Sequence, residues 1–354
     1  MLEPSNVPPA AGPHISILGA GVIGLACAWE LVRRGARVSI YDTSAPGRGA
    51  SWAAAGMLAP AFEAAGEVGA HARLFDLCLE GAALWPAWIA ELESASGHSC
   101  DYLAAGSIAV AASEEQENML AALRSVLAAR GIVHETLQID EAISREPALS
   151  NTIHAATYLP SDSQVDNRRV LVALILFARK RSLFVDEPVT DSDIVLDARG
   201  WQVPGMLPVG GQMYSIARHE GHPRHVIRAG SVYIVPKRDR TIIGATVEPG
   251  KIVTDVSEGK LTELARTAEQ ICPSLASGGH VESWGGTRPA TRDKAPVIGW
   301  TAPGHYVASG HYRNGILLAP LTASIVASHI LDDQRSELAS AFDPSRFETT
   351  SEVG

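Results

Sequence analysis

Apolar and polar positions along the chain change period repeatedly, and each change marks a predicted element. Residues 15–18 form a short apolar run of strand length, and apolar residues at helical spacing follow over 22–34, stopping at Gly35. Arg33 and Arg34 suit the C-terminal end of that helix. A second strand is read over 37–41. Helical spacing returns over 72–95 through Leu74, Leu77, Leu84 and Trp88, and 106–112 alternates like a strand. Ser113 with Gln116 three residues on predicts a capping box opening a helix that reaches Arg130. Glu146-Pro147 breaks the chain before a strand at 156–159, and a helix follows over 166–180. The remaining pattern reads as strands at 194–197, 212–217, 231–235 and 241–245, a helix at 260–271, a strand at 281–284 leading into Gly-Gly-Thr-Arg-Pro, a strand at 306–309, and a helix at 316–331. Alternating strands and helices predict an α/β protein with a second sheet-bearing part.

The first strand–turn–helix carries chemistry. Gly19, Gly21 and Gly24 fall at the G-x-G-x-x-G spacing between the predicted strand and helix. The first glycine permits the tight turn, the second lets a pyrophosphate approach the backbone, and the third allows close helix–strand packing. Asp42, at the end of the second strand, stands where a carboxylate would hold a ribose hydroxyl. The alternative is a glycine-rich turn with no ligand, but strand, helix, second strand and acid in this order point to a dinucleotide. The motif alone does not say which one. Residues 47–60 are small and nearly uncharged, which suits either a backbone pressed against a flat ligand or a tightly packed helix start. A second glycine-bracketed turn, Gly310 to Gly315, feeds another apolar helix. It reads as an ordinary connection or as a site for negative charge.

Bulk properties narrow the partners. The 354 residues suit about two domains, and 46% hydrophobic with 19% charged residues is a globular composition. A net charge of −10 without a Lys/Arg block argues against nucleic acid and anionic membranes. The cysteines Cys27, Cys78, Cys100 and Cys272 lack metal-like spacing and read as reduced cytoplasmic thiols. His98, His154, His222 and His225 have no metal spacing either, so no metal is expected. Residues 1–13 hold four prolines and one charge, and read as a loose leader with none of the features of a signal peptide. The uncharged run that follows is short for a membrane span. The polar tail, 336–354, is expected to be loose.

The run Gly49-Ala-Ser-Trp-Ala-Ala-Ala-Gly-Met-Leu58, behind the glycine fingerprint, resembles the N-terminal signature of the D-amino-acid oxidase superfamily. Gly310-His-Tyr-Arg-Asn-Gly-Ile-Leu-Leu-Ala-Pro320, with Tyr233-Ile-Val-Pro-Lys-Arg238, Gly244-Ala-Thr246 and Gly286-Thr-Arg-Pro289, is similar to its ThiO-type glycine oxidase branch. The resemblance covers about residues 14–331. It implies a Rossmann-like FAD-binding domain of the GR2 type, assembled from 14–80, 145–205 and 283–335. A substrate domain with an antiparallel sheet would come from 81–144 and 206–282.

It further implies non-covalent FAD. Gly19, Gly21 and Gly24 would face the pyrophosphate, and Asp42 would stand in place of the family's usual Glu. Ala50, Ser51, Ala54, Ala55, Gly56 and Met57 would line the flavin. Val189 would contact the adenine side, with Gly200 at the end of a second FAD strand. Backbone N–H groups of Arg313, Asn314, Gly315, Ile316 and Leu317 would approach the flavin pyrimidine edge. Only residues 190–193 separate Val189 from Ile194, where the family carries a β-hairpin, so a trimmed FAD domain is expected.

The reaction implied is oxidation of glycine, with sarcosine or D-alanine as lesser substrates, to the 2-oxo acid, ammonia and hydrogen peroxide. Its setting would be assembly of the thiamine thiazole. A broader D-amino-acid or sarcosine oxidase, or a dehydrogenase, is the alternative. Arg288 is expected to pair with the substrate carboxylate, Tyr233 to donate its phenol to it, and Arg313 to lie nearby. Lys294 and His311 receive no base role, since both are expected at the surface or over the flavin ring. An NADPH-using monooxygenase would need a second fingerprint, and none follows a strand here. A non-catalytic FAD subunit is disfavoured by the retained Arg288 and Tyr233. The partners expected are a small amino acid and oxygen, with homo-oligomers possible by analogy.

Overall fold

A computed structural model describes residues 12–63 and 70–350. Most of the predicted leader, residues 1–11, lies outside that range. Its last two residues are packed: the Pro13 carbonyl accepts from Arg37 N at 3.0 Å, and Gly12 abuts the Gly35 carbonyl.

Two sheets carry the fold. In the first, β1 (His14–Leu18) lies parallel to β2 (Arg37–Tyr41) on one side and to Ile194–Asp197 on the other. His305–Ser309 continues the parallel set, and Val297–Ala302 closes the edge antiparallel. The connection from β1 to β2 is α1 (Val22–Arg33), whose residues are buried from Val22 through Trp29. It is apolar all round because it lies between the sheet and two other helices, Asn167–Lys180 and Gly315–Leu331. Leu74–Ser96 packs across the latter, where Gly81 is needed. A Cβ at Gly81 would stand 3.0 Å from Leu318 Cδ2 and 3.2 Å from the Leu317 carbonyl, to which Trp85 Nε1 donates at 2.9 Å.

The second sheet runs Glu248–Pro249, Leu207–Ala217, Arg240–Gly244, Val232–Pro236, Val226–Ala229, Ser107–Ala111, Ala155–Leu159, Glu135–Leu137. His280–Ala290 pairs antiparallel with Leu207–Ala217, with a bulge between His280 and Glu282. Helices Glu114–Ala129 and Glu258–Ile271 bury their apolar stripes against this sheet. The predicted cap of the first is present in altered form. Ser113 Oγ accepts from Gln116 N at 3.3 Å, while the Gln116 side chain takes the N–H of Ala112 at 2.9 Å. A short ribbon, Met57–Leu58 against Ser163–Gln164, joins the two halves. Lys237 holds this ribbon from behind, its Nζ donating to Gln164 Oε1 at 3.0 Å and to the Val165 carbonyl at 2.6 Å.

Two expectations need correction. The strand expected at 281–284 runs on through Gly-Gly-Thr-Arg-Pro, as part of the eleven-residue strand His280–Ala290. Its glycines serve close packing: a Cβ on Gly286 would lie 2.4 Å from Ala53 Cβ, and one on Gly285 2.3 Å from Val253 Cγ1. The tail is packed over much of its length. Leu338 and Phe342 enter the main core, Ile298 N donates to the Phe342 carbonyl at 2.9 Å, and Arg346 pairs with Asp293 at 2.8 Å. The short helix Ile139–Arg145 and the strands Val226–Ala229 and Val297–Ala302 were not legible. Each is too short to establish a period. No helix among the described residues is long and apolar enough to cross a membrane.

Two outcomes follow for stability. Phe342→Ala, which empties a fully buried site, is expected to cost about 3–5 kcal/mol in urea unfolding, whereas a loose tail would leave the midpoint unmoved. Burial lowers the Lys237 pKa from 10.5 to about 7, the nearby Asp166 opposing the shift. Between those values the unfolded chain binds the proton that the folded chain has released, so this group's contribution to stability rises with pH from about 7 to about 10. The stability difference between wild type and Lys237→Met should therefore shift toward wild type over that window; a pH-independent difference would refute the assignment.

Candidate active site

The glycine turn after β1 sits at the carboxyl ends of the parallel strands, the position where open α/β sheets bind ligands. Gly19 has φ +104°, and a Cβ there would lie 2.5 Å from the Ala198 carbonyl. At Gly24 a Cβ would stand 2.0 Å from the Gly19 carbonyl, so the helix can approach the strand only without a side chain. Gly21 differs: its nearest neighbour would be Ser51 Oγ at 3.4 Å, leaving the space above it open. The first turn of α1 holds no acidic residue. Its positive end is therefore unopposed, with Val22 N donating to Ser51 Oγ at 3.0 Å. Asp42 accepts from Ala20 N at 2.7 Å and from Ser44 N at 2.8 Å, which fixes its carboxylate beside the turn.

Residues 50–57 form the next wall. Ala50–Ala53 make one helical turn, and Asn167 Nδ2, fully buried, donates to the carbonyls of Ser51 at 2.8 Å and Trp52 at 3.2 Å. Trp52 lies between the guanidinium groups of Arg48 and Arg168, at 3.9 and 4.3 Å. Arg168 also covers Trp284 and pairs with Glu282, while Trp284 Nε1 donates to the Ala53 carbonyl at 3.1 Å. Gly56, at φ +73°, has its Cα against the Val165 carbonyl and its own carbonyl bound by Val165 N at 2.9 Å. Ala54 is half-buried and Ala55 buried. Ala55 and Met57 pack against Met213, Tyr233 and Trp284, which brings this loop onto the second sheet.

Tyr233, on Val232–Pro236, pairs across the sheet with Arg228 on one side and Gly244 on the other. A side chain on Gly244 would strike the Tyr233 ring at 2.4 Å, so glycine there makes room for the phenol. Arg288 projects over Gly211. Its Nη1 donates to the carbonyls of Gly210 at 3.2 Å and Thr246 at 3.4 Å. No carboxylate among the described residues comes within ion-pair distance of Arg288. Burial raises the Tyr233 pKa, against the pull of the Arg288 and Arg228 charges, so its hydroxyl stays protonated as a donor. Tyr312 is raised by burial and also feels Arg288. The backbone N of Tyr312 is held by the Pro289 carbonyl at 2.7 Å. Arg313, exposed, stacks over the Tyr312 ring at 4.9 Å. Asn314, Gly315, Ile316 and Leu317 form the start of Gly315–Leu331, whose first turn has no acidic residue and no side-chain cap. The Asn314 Nδ2 is buried without a hydrogen-bond partner.

Of the sequence-predicted residues, Gly200 stands at φ +64° with its carbonyl taken by Ser309 Oγ at 2.9 Å, beside the same strand ends. Val189 is half-buried in a link of 186–193 that contains no strand. His311 is corrected: it is buried, with Nε2 2.9 Å from Thr322 Oγ1, and burial lowers its pKa to about 3, leaving it neutral. Lys294 is half-buried, in a turn at φ +56°. Among the described residues no cluster could hold a metal ion.

Sequence reasoning missed Arg228 and Asp162. The Arg228 guanidinium lies 3.6 Å over Phe62, near Asp162 and Glu63. Asp162 is buried, accepts from Ser107 Oγ at 2.5 Å, and has its pKa raised to about 7 by burial. Period-two spacing back from Tyr233 cannot reach Arg228, because a turn intervenes.

The pieces fit a long flavin dinucleotide. The features to be matched are an open glycine turn, an uncapped helix start with an orphaned amide, a small-residue loop and the Arg288 cation. A family model described as FAD dependent oxidoreductase (DAO) matches residues 14–329. The glycine oxidase of Geobacillus kaustophilus is 33% identical, the alignment covering 96% of this chain and 97% of that protein. The bifunctional protein ThiO/ThiG of a Synechocystis strain is 31% identical over 95% of this chain, which spans about half of it (54%). The crystal structure of the Geobacillus glycine oxidase superposes with a TM-score of 0.84, covering 97% of this chain and all of that one. The glycine oxidase of Bacillus cereus superposes with a TM-score of 0.83 at 27% identity. The chain thus belongs to the DAO family of FAD-dependent oxidoreductases.

Proposed function

We propose that this enzyme oxidises glycine, and less readily sarcosine or D-alanine, and that it serves thiamine biosynthesis in the cytoplasm. Curated relatives named glycine oxidase and ThiO support the reading. The observation that carries it is Arg288: a half-buried cation without a carboxylate partner among the described residues, beside a protonated phenol that itself packs with Met57. A buried unpaired guanidinium is costly, and a carboxylate ligand offsets that cost through two parallel charge-assisted hydrogen bonds. The residues committed to FAD are Gly19, Gly21, Gly24, Asp42, the 50–57 loop, Val189, Gly200 and the backbone of 313–317. The FAD-binding part would comprise 14–80, 145–205 and 283–335.

In this reading Arg288 binds the substrate carboxylate while its Nη1 remains fixed by the Gly210 and Thr246 carbonyls. Tyr233 donates its hydroxyl proton to the same carboxylate, and Arg313 adds positive potential at the mouth. Met57, Met213 and Trp284 form an apolar wall that keeps water from the α-carbon. Bound FAD supplies the two-electron oxidation of the C–N bond. Glycine, oxygen and water then give glyoxylate, ammonia and hydrogen peroxide, which balances atoms and electrons. The substrate must present a neutral amine. No base is assigned to accept its proton, and neutral, buried His311 is engaged with Thr322.

Under anaerobic conditions the flavin band of the FAD-loaded protein should bleach on addition of glycine and return with air. Bleaching only with sarcosine or D-alanine would transfer the reading to a sister specificity, and no return of colour would make the enzyme a dehydrogenase. Arg288→Ala should keep its flavin and lose roughly a hundredfold or more in kcat/KM, with Arg288→Lys recovering only part because a lysine cannot form the fork. A variant that loses its flavin would show that Arg288 is structural.

A further inference from the structure

A groove of about 680 Å³ opens between the turn at 218–224, the hairpin turn at 236–240 and the segment at 101–103. Three arginines line it: Arg218 and Arg224 from the first turn and Arg238 from the second. No carboxylate among the described residues lies within ion-pair distance of any of the three. Of the acids nearby, Asp101 pairs with Arg169 at 3.4 Å, Asp239 with Arg240 at 2.9 Å, and Glu146 accepts from the backbone N–H groups of Arg224 and His225 at 2.7 and 2.8 Å, while Glu220 in the same turn is exposed to solvent. Arg218 Nη1 donates to the Arg238 carbonyl at 3.2 Å, which ties the two turns together. His222, on the same wall, is bonded to Thr241 Oγ1 at 2.7 Å and has its pKa lowered to about 4, by burial first and then by Arg218. The groove therefore gathers unneutralised positive charge in a chain whose net charge is −10.

We infer that this groove binds a small phosphate-bearing anion, held by Arg218, Arg224 and Arg238, at a site separate from FAD and substrate. Its volume falls in the range of small-ligand sites. Three guanidinium forks match the several acceptor oxygens and double charge of a phosphate ester or diphosphate better than a single carboxylate. Tyr102, half-buried, and Leu103, exposed, offer apolar surface for the organic part of such a ligand. The floor of the groove is Gln164 and Lys237, the pair that holds the ribbon carrying Met57. Occupancy thus adds an anion directly behind the flavin loop.

The test is calorimetric titration of the FAD-saturated enzyme with inorganic diphosphate at low ionic strength, alongside the double variant Arg224→Ala/Arg238→Ala. Saturating FAD keeps diphosphate out of the dinucleotide crevice, and the readout needs no turnover, so failure of the proposed reaction would not affect it. Wild type should bind one diphosphate per chain, and glycine should not displace it. The double variant should stay yellow, oxidise glycine as wild type does, and bind diphosphate at least about tenfold more weakly. Failure of wild type to saturate would overturn the inference. So would undiminished binding by a folded, yellow double variant, or displacement by glycine.

Discussion

The structure depends on one close approach of backbone to backbone. The Gly19 carbonyl lies where a side chain of Gly24 would be, and the Ala198 carbonyl lies where a side chain of Gly19 would be. These contacts draw β1, α1 and the strand Ile194–Asp197 to a single point at the carboxyl edge of the sheet. Only with the helix that near the strand does its positive end face the crevice, and only then does Asp42 reach Ala20 N. The long helix Gly315–Leu331 packs on α1, and its own start is likewise uncapped.

The two halves are joined where the small-residue loop meets the second sheet. Asn167 and Arg168 hold the loop from the helix side, and Trp284 and Gly286 hold it from the strand side. Because His280–Ala290 carries both that clamp and Arg288, the loop and the Arg288 guanidinium share one rigid element, and the distance between them is set by β-strand geometry and not by a flexible link. Tyr233 enters from the same sheet, with the strands Leu207–Ala217 and Arg240–Gly244 between its own strand and His280–Ala290.

Much of this was legible in the sequence where a residue type has one physical use. The glycine spacing, the acid after β2, and the Ser113 cap follow from local rules, and the structure places each as expected. Arg288 and Tyr233 could be named through their motifs, and the sheet brings them together. What could not be read depends on non-local packing. Gly285 and Gly286 signal a turn when read locally, yet they lie within a strand because Val253 and Ala53 press against them. Phe342 sits in a polar tail, and nothing near it in sequence reveals the core it fills. Arg228 joins the site only through its pairing with Tyr233 across a turn. His311 lies in the glycine-bracketed turn and so reads locally as exposed, yet it is buried against Thr322 of the following helix.

The bulge between His280 and Glu282 bears on how the gene can change. Side chains alternate faces along the strand, so one residue added between Trp284 and Arg288 would turn the guanidinium to the opposite side of the sheet. One residue added or lost at the bulge would be absorbed there, since the register is already broken at that point. Length variation upstream of the bulge is thereby uncoupled from the facing of Arg288 downstream of it. Insertions and deletions in a family with this strand should collect before Glu282 and be purged after Trp284.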